Sequence, residues 1–329
     1  KAVPLFILMR ALGLTSDKDI IRHIVLDIEK DKTMVERLRP CVHDAASIFT
    51  QETALNYISS LTKYTTNVYA LQILMDYFLP NVGELNFSNK AFFIGHMVNK
   101  LLRVVMGRDL PTDRDSFHYK RVELPGTLMY DLFREYYVAQ KRSIFLRFEK
   151  DIYFHHTRQE GEKEIVNLDD SGIHKMIGDG YRDYFREKIL ETGLRKAFKG
   201  NWGMTSHTKR DGIVQDVSRL SYNAYLSQLR KLNLPLDASA KVVGPRLLHS
   251  TQWGVIDPID TPDGGNVGLH KHLALATRIT NGYSAEPMKK WLQEHGKIEI
   301  LDVSYPECIY EQTKVFVNGI WLGFVSDHV

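Results

Sequence analysis

The segment HSTQWGVIDPIDTPDGGNVGL, His249 to Leu269, packs a Trp-Gly pair, two Asp-centred bends and a glycine-rich exit into one short stretch. Such a composition fixes backbone shape. In Thr261-Pro262-Asp263-Gly264 the proline at the second position and the glycine at the fourth match a type I β-turn, and Asp257-Pro258 starts another bend just before it. The spacing predicts that Asp260 and Asp263 come close together. Two carboxylates so placed can bind Mg²⁺ or share acid/base work, or they can simply form turns and caps. Either reading gives the segment a structural task, with His249, Trp253, Asp260, Asp263 and Gly264 as its candidate scaffold residues.

The chemistry that would complete an active site is not apparent around this segment. Asp263-Gly264-Gly265 lacks the Gly-x-x-x-x-Gly-Lys-Ser/Thr pattern of a phosphate loop. No His-Glu-x-x-His pair and no Gly-x-Ser-x-Gly elbow occurs, and His155 and His156 are adjacent, so they diverge on a helix. No catalytic residue, metal ligand or resident cofactor is expected from the residues. A metal-dependent hydrolase built on Asp260 and Asp263 remains a formal third reading.

The 329 residues, 43% of them apolar, suffice for two or three domains with substantial cores. With 43 Lys and Arg against 40 Asp and Glu, net charge by itself argues neither for nor against a nucleic-acid partner. Cys41 and Cys308 lie far apart with no CxxC, which removes a disulfide framework or zinc site as an organising idea and makes a reducing, intracellular setting the default. The apolar run Val3–Met9 is too short to span a bilayer, and no small-residue cleavage site follows it, so no membrane association is expected. The chain begins with Lys1 and stops in a strand-like piece, GFVSDHV, so a fragment of something larger is expected.

Helical spacing appears at Ile21, Ile24, Val25 and Ile28, and again from an N-cap at Ser88 through Phe92, Phe93, Met97, Leu101, Leu102 and Val105, with Gly107 placed to end that helix. A polar, turn-rich stretch, TDRDSFHYKRVELPG at Thr112–Gly126, precedes a long helical stretch from Leu128 to about Phe154. Asp, Glu and Gly then accumulate between His155 and Asp183, which predicts a surface loop and a change of subdomain. From Arg195 to Arg246 the basic residues 195, 196, 199, 209, 210, 219, 230, 231, 241 and 246 face only Asp211, Asp216 and Asp237. The positive charge is therefore local. A helix expected over Ser218–Leu232 aligns Arg219, Asn223, Ser227 and Arg230 on one face and Tyr222, Tyr225, Leu226 and Leu229 on another. The basic face suits phosphate oxygens or is simply solvated. After Leu273 shorter apolar runs follow, and Asn318-Gly319 between alternating segments signals a type I′ hairpin.

Taken in order, VPLFILMRALG, KAFFIGHMVNKLL, DRDSFHYKRVELPG, GNWG, LSQLRKLNLP, PRLLHSTQWGVIDPIDTPDGGNVGL and KVFVNGIWLG resemble the second-largest subunit of multisubunit DNA-directed RNA polymerases. The wording of DRD…KR and NWG favours the eukaryotic, archaeal and large-DNA-virus branch over the bacterial one. The resemblance implies an α+β, multi-subdomain fragment: the later part of the lobe at 1–118, the returning part of the protrusion at 119–200, an α/β fork at 201–278 and the start of a β-rich external region at 279–329. It places the first fork loop at about Met204–Gly212 and the second at about Asn233–Val243. Lys209, Arg210, Arg219, Arg230, Lys231 and Arg246 then become contacts to template DNA, non-template strand or RNA:DNA hybrid. The implied partners are the largest subunit, the other polymerase subunits and nucleic acid. The catalytic Mg²⁺ would belong mainly to the largest subunit, and the location would be the nucleus, or the cytoplasm or virion for a large DNA virus. Two departures stand out. Relatives commonly read Glu-Thr-Pro-Glu-Gly where this chain has Asp260-Thr-Pro-Asp263-Gly, and Asp237–Ala240 lacks the basic residue many relatives place in the second fork loop. A free-standing nucleic-acid-binding module is the competing class.

Overall fold

In the computed structural model, which describes residues 2–158, 170–206, 208–296, 298–301 and 306–325, the apolar run after Pro4 forms helix α1 (Leu5–Ala11). It is followed by α2 (Asp17–Val25), α3 (Lys32–Asp44), α4 (Gln51–Leu61), α5 (Asn67–Asp76) and α6 (Phe87–Val105). Local chemistry sets several of these ends. The Asp31 side chain accepts from the Met34 backbone N–H to start α3, and Thr50 and Thr53 form a reciprocal capping box for α4. Leu26, at φ +69°, ends α2, so the apolar spacing that extends to Ile28 is split over a turn.

Helix α6 departs from its sequence-based expectation in phase. Asn86, not Ser88, occupies the N-cap position, and Gly107 at φ +72° follows its end as expected. Its buried face is Lys90, Ala91, Phe92, Ile94 and Gly95, whereas Met97, Leu101 and Val105 are exposed. The reason lies in what packs on it. The backbone of α2 comes so near that a Cβ added at Gly95 would sit 2.2 Å from the His23 carbonyl oxygen. Phe92 meets Trp321 edge to face at 6.0 Å.

Trp321 comes from the far end of the chain. After α11 (Glu286–His295), strands β3 (Glu299–Ile300), β4 (Thr313–Val317) and β5 (Ile320–Val325) form an antiparallel sheet in the order β3-β5-β4. Asn318 and Gly319, at φ +50° and +76°, make the two-residue connection that the Asn-Gly pair predicted. Leu26, Phe92, Leu301, Ile309, Trp321 and Phe324 share one apolar cluster, so residues 280–329 join residues 1–112 in one compact unit.

The second unit is Asp113–Ile279. Its α7 (Pro125–Arg158) is the long helix expected from Leu128, and α9 (Ile189–Phe198) packs against it through Gly193, where a Cβ would meet the Tyr136 ring at 2.3 Å. Part of the acidic stretch expected as a loop between His155 and Asp183 is helical: α8 spans Asp170–Tyr184. Residues 159–169 lie outside the described residues. Helix α10 (Tyr222–Leu229) is followed by β1 (Lys231–Asn233), which pairs antiparallel with β2 (His270–His272). The architecture is thus α+β, with helices dominating. Among the described residues, no helix is long and apolar enough to cross a membrane.

Candidate nucleic-acid interface

The basic residues singled out in the sequence all lie in the second unit, and local structure separates them into two kinds. Arg230 caps α10, and its guanidinium donates to the carbonyls of Ala274 at 2.6 Å, Thr277 at 3.2 Å and Leu275 at 3.4 Å. Arg246 donates to Gly265 at 2.7 Å, Val267 at 3.0 Å, Ala238 at 2.9 Å and Ala240 at 3.4 Å. Five donors in a rigid fork make arginine suited to gathering carbonyls from two loops. Here it ties the Asn233–Val243 loop to the glycine-rich exit of the Asp-Pro segment.

The others face outward. Lys209 and Lys231 are exposed and have no side-chain partner among the described residues. Arg210 is exposed and paired with Glu123. The Arg219 guanidinium lies 5.2 Å from the Tyr225 ring centroid. Arg219 precedes α10 instead of sitting on it, so the expected helical stripe does not form. The helix starts late because Ser221 caps it through the Ala224 N–H, while Gln228 turns back to hold Ser218 N–H and the Asp216 carbonyl. The expected packing face is also turned outward, with Tyr222 and Leu229 exposed.

The Trp202–Arg210 loop is anchored by a residue that sequence reading passed over. Glu135 on α7 accepts from Met204 N–H at 3.2 Å, Thr205 N–H at 3.1 Å and the Thr208 hydroxyl at 2.7 Å. Trp202 and Arg210 bridge as an isolated antiparallel pair, and Gly203, at φ +89°, brings the turn within reach of the Thr208 carbonyl. Between this loop, α7 and α9 opens a cleft of about 860 Å³, lined by buried Tyr136 and Trp202 and by exposed Lys188, Lys196 and Lys209. No sequence signal links Glu135 to a loop some seventy residues later, because the pairing exists only once α7 and α9 pack.

The Asp-Pro segment is held from three sides. Asp257 Oδ1 accepts from Ile259 N–H at 2.9 Å and Asp260 N–H at 3.2 Å, and these bonds hold its carboxyl below the usual carboxylate range. The sharp turn therefore falls at Asp257 and not at Thr261–Gly264, where Asp263 is extended and Gly264 takes φ +76°. Thr261 Oγ1 donates to the His270 carbonyl and accepts from Gly268 N–H, each at 2.9 Å, closing the loop on itself. Asp260 pairs with His272 at 3.3 Å, while Asp263 is exposed. Among the described residues, no group of three or more His, Cys, Asp or Glu side chains is placed to hold a metal ion. Trp253 stands 86% exposed.

His249 links this segment to the Asp113–Gly126 stretch. Its Nδ1 accepts from Thr251 N–H at 3.2 Å and contacts the Thr251 hydroxyl at 2.7 Å, while Nε2 lies 2.6 Å from Asp113 Oδ2. The Thr251 hydroxyl oxygen accepts from Phe117 N–H at 2.8 Å. A Thr-His-Asp line of this kind resembles a nucleophile relay, but the histidine lone pair is already taken by a backbone N–H, so it locks two loops together. What the site offers chemically is outward-facing cations and exposed aromatic surface on arginine-braced loops, the equipment for gripping a phosphate backbone.

Comparison with known proteins concerns the chain's family. Residues 1–123 match the family model described as RNA polymerase Rpb2, domain 2, and residues 215–279 match RNA polymerase Rpb2, domain 3. The chain is 36% identical over 98% of its length to DNA-directed RNA polymerase II subunit RPB2 of Meyerozyma guilliermondii, covering 25% of that relative. It is 36% identical over 99% of its length to DNA-directed RNA polymerase II subunit 2 of Arabidopsis thaliana, covering 26% of it. It is 30% identical over 99% of its length to DNA-directed RNA polymerase subunit Rpo2 of Sulfolobus acidocaldarius, covering 28% of it. The chain thus spans about a quarter of the length of the curated relatives it matches.

Proposed function

Because the chain belongs to the Rpb2 family of second-largest RNA polymerase subunits, we propose that it works as part of that subunit in a DNA-directed RNA polymerase, shaping the active-centre cleft and contacting template DNA and the RNA:DNA hybrid. The observation that carries this is the match to two Rpb2 domains in chain order, inside relatives that align over nearly every residue of the chain. In this reading residues 1–118 are lobe, 119–200 the returning protrusion, 201–278 the fork and 279–329 the start of the external region.

The exposed cations Lys209, Arg210, Arg219 and Lys231 touch nucleic-acid phosphates, while Arg230 and Arg246 hold the fork loops in shape. His249, Trp253, Asp260, Asp263 and Gly264 serve as scaffold. Asp260 pairs with His272 and acts within that scaffold. The chain's own contribution is binding and positioning, with the metal chemistry carried by the largest subunit. The setting is intracellular, the nucleus for a cellular eukaryote and the cytoplasm or virion for a large DNA virus.

Immunoprecipitation of the chain from its native source tests the proposal. The expected precipitate contains the largest polymerase subunit and supports template-directed RNA synthesis, whereas the purified chain alone incorporates no nucleotide. RNA synthesis by the isolated chain would overturn it. So would a precipitate that carries nucleic acid without other polymerase subunits, which is the behaviour of a free-standing binding module.

A further inference from the structure

Two lysines are buried among the described residues, and they are treated very differently. Lys90, fully covered, donates to the carbonyls of Leu74 at 2.7 Å, Met75 at 3.1 Å and Glu84 at 3.4 Å. Lys271, only 6% exposed, has no hydrogen-bond or ion-pair partner among the described residues. Its ammonium is not sealed in, for among the described residues the enclosed side-chain nitrogens without hydrogen-bond partners are those of Arg10, Arg22 and His23. The stem is therefore covered and the head reaches a small opening. A mostly buried lysine whose ammonium meets a small opening and no protein acceptor is poorly solvated in the isolated chain, which points to an acceptor supplied from outside.

The surroundings say what kind. Lys271 is the central residue of β2, opposite Leu232, so it points away from the face that carries His270 and His272. The segment before Lys120 is fixed to the Asp-Pro segment by the bond from Phe117 N–H to Thr251, and that segment pairs in turn with β2 through Asp257 N–H and the His272 carbonyl. The charge felt at Lys271 is that of Lys120, which, after burial, holds its ammonium below the usual lysine range, with no carboxylate opposing it.

We propose that Lys271, with Lys120 beside it, is a phosphate-binding site of the second unit that seats one backbone phosphate of bound nucleic acid. The Lys271 ammonium suits a non-bridging oxygen of a phosphodiester, and the Lys120 charge adds to the positive field there. The inference rests on the nucleic-acid reading given above and adds a contact on the opposite face of the ribbon from Lys231, so the two lysines engage different phosphates.

Fluorescence anisotropy of the full chain with a labelled RNA:DNA hybrid, titrated at several salt concentrations, tests it. Lys271→Met is expected to weaken binding by roughly tenfold and to reduce the slope of log affinity against log salt by about one. The same substitution is expected to leave the melting temperature equal or higher, because it removes an unpaired covered charge. Lys271→Arg retains binding, and Lys120→Gln repeats the loss without touching the covered position. If Lys271→Met and Lys120→Gln bind the hybrid as the parent does while a Lys209→Ala, Lys231→Ala double variant loses it, this inference is wrong and the nucleic-acid reading stands. If the parent chain binds no hybrid, both fall. If a poly-glutamate peptide binds and depends on Lys271 while the hybrid does not, the acceptor is an acidic protein segment and the phosphate assignment is overturned.

Discussion

Asp113 Oδ2 and His249 Nε2, 136 residues apart in sequence, meet at 2.6 Å. The contact staples the turn-rich stretch before α7 to the Asp-Pro segment, and the Asp115 backbone N–H together with His249 holds the Asp113 carboxyl below its usual range. A depressed carboxylate contributes stability that is complete above its ordinary pKa of about 4 and is lost as pH falls through the folded value. The melting temperature of the parent chain is therefore expected to fall more steeply below pH 4 than that of Asp113→Asn. His249→Ala, which removes the acceptor of Thr251 N–H as well, should cost about 1–2 kcal/mol at neutral pH in denaturant unfolding.

His96 gives a signature of the same sign at higher pH. Its ring packs on Phe316 and Trp321, and burial, with Lys314 and Lys100 nearby, pushes its pKa down to about 4. Between pH 6.5 and 4 the unfolded chain binds a proton at this position that the folded chain does not, so stability falls as the solution is acidified through that window. The loss is on the order of 3 kcal/mol at most. His96→Gln should flatten the stability profile there, and burial-depressed His23 leaves a smaller residual slope of the same sign.

At Gly95 the backbones of α2 and α6 approach closely. A methyl group there would fall 2.2 Å from the His23 carbonyl oxygen, which is backbone and cannot swing aside. Gly95→Ala should therefore destabilise the first unit by roughly 1–3 kcal/mol despite alanine's better helix propensity. Thermal unfolding reads this directly. An unchanged or raised melting temperature would show that the helices separate without penalty.

Arg246 braces two loops through four carbonyls. Arg246→Lys keeps the charge but replaces the planar fork by a single ammonium, so it should fail to hold Ala238 and Ala240 together with Gly265 and Val267. Faster amide hydrogen exchange over residues 234–243 and 264–268 is expected, with α10 unaffected. Unaltered exchange in both loops would mean that the carbonyls are held by something else.

Much of the fold follows from short-range chemistry and was legible without coordinates. The Asn318-Gly319 pair specifies its hairpin because both residues tolerate positive φ, and the helical run from Leu128 declares α7. The basic stretch around Lys209 to Arg246 is likewise a property of the text alone. The features that differ from the sequence expectation depend on neighbours distant in sequence. The phase of α6 was set by α2 and Trp321, so Met97, Leu101 and Val105, apolar at helical spacing, remain exposed. The start of α10 was set by Ser221 and the back-turned Gln228, which removed Arg219 from the helix.

The amino-acid sequence by itself determined the family, the α+β class and the location of the positive charge, because motif order and turn residues are written along the chain. Only the tertiary structure decided which cations face outward. Arg230 and Arg246 look like Lys209 and Lys231 in the text, yet the folded chain surrounds their guanidinium groups with carbonyls whose positions depend on loops closing from far away. It also decided that Asp260 turns to His272 and not to Asp263, since the turn forms at Asp257, where two backbone N–H groups find a carboxylate. Residue type sets what a side chain can bind, and packing sets what is left within its reach.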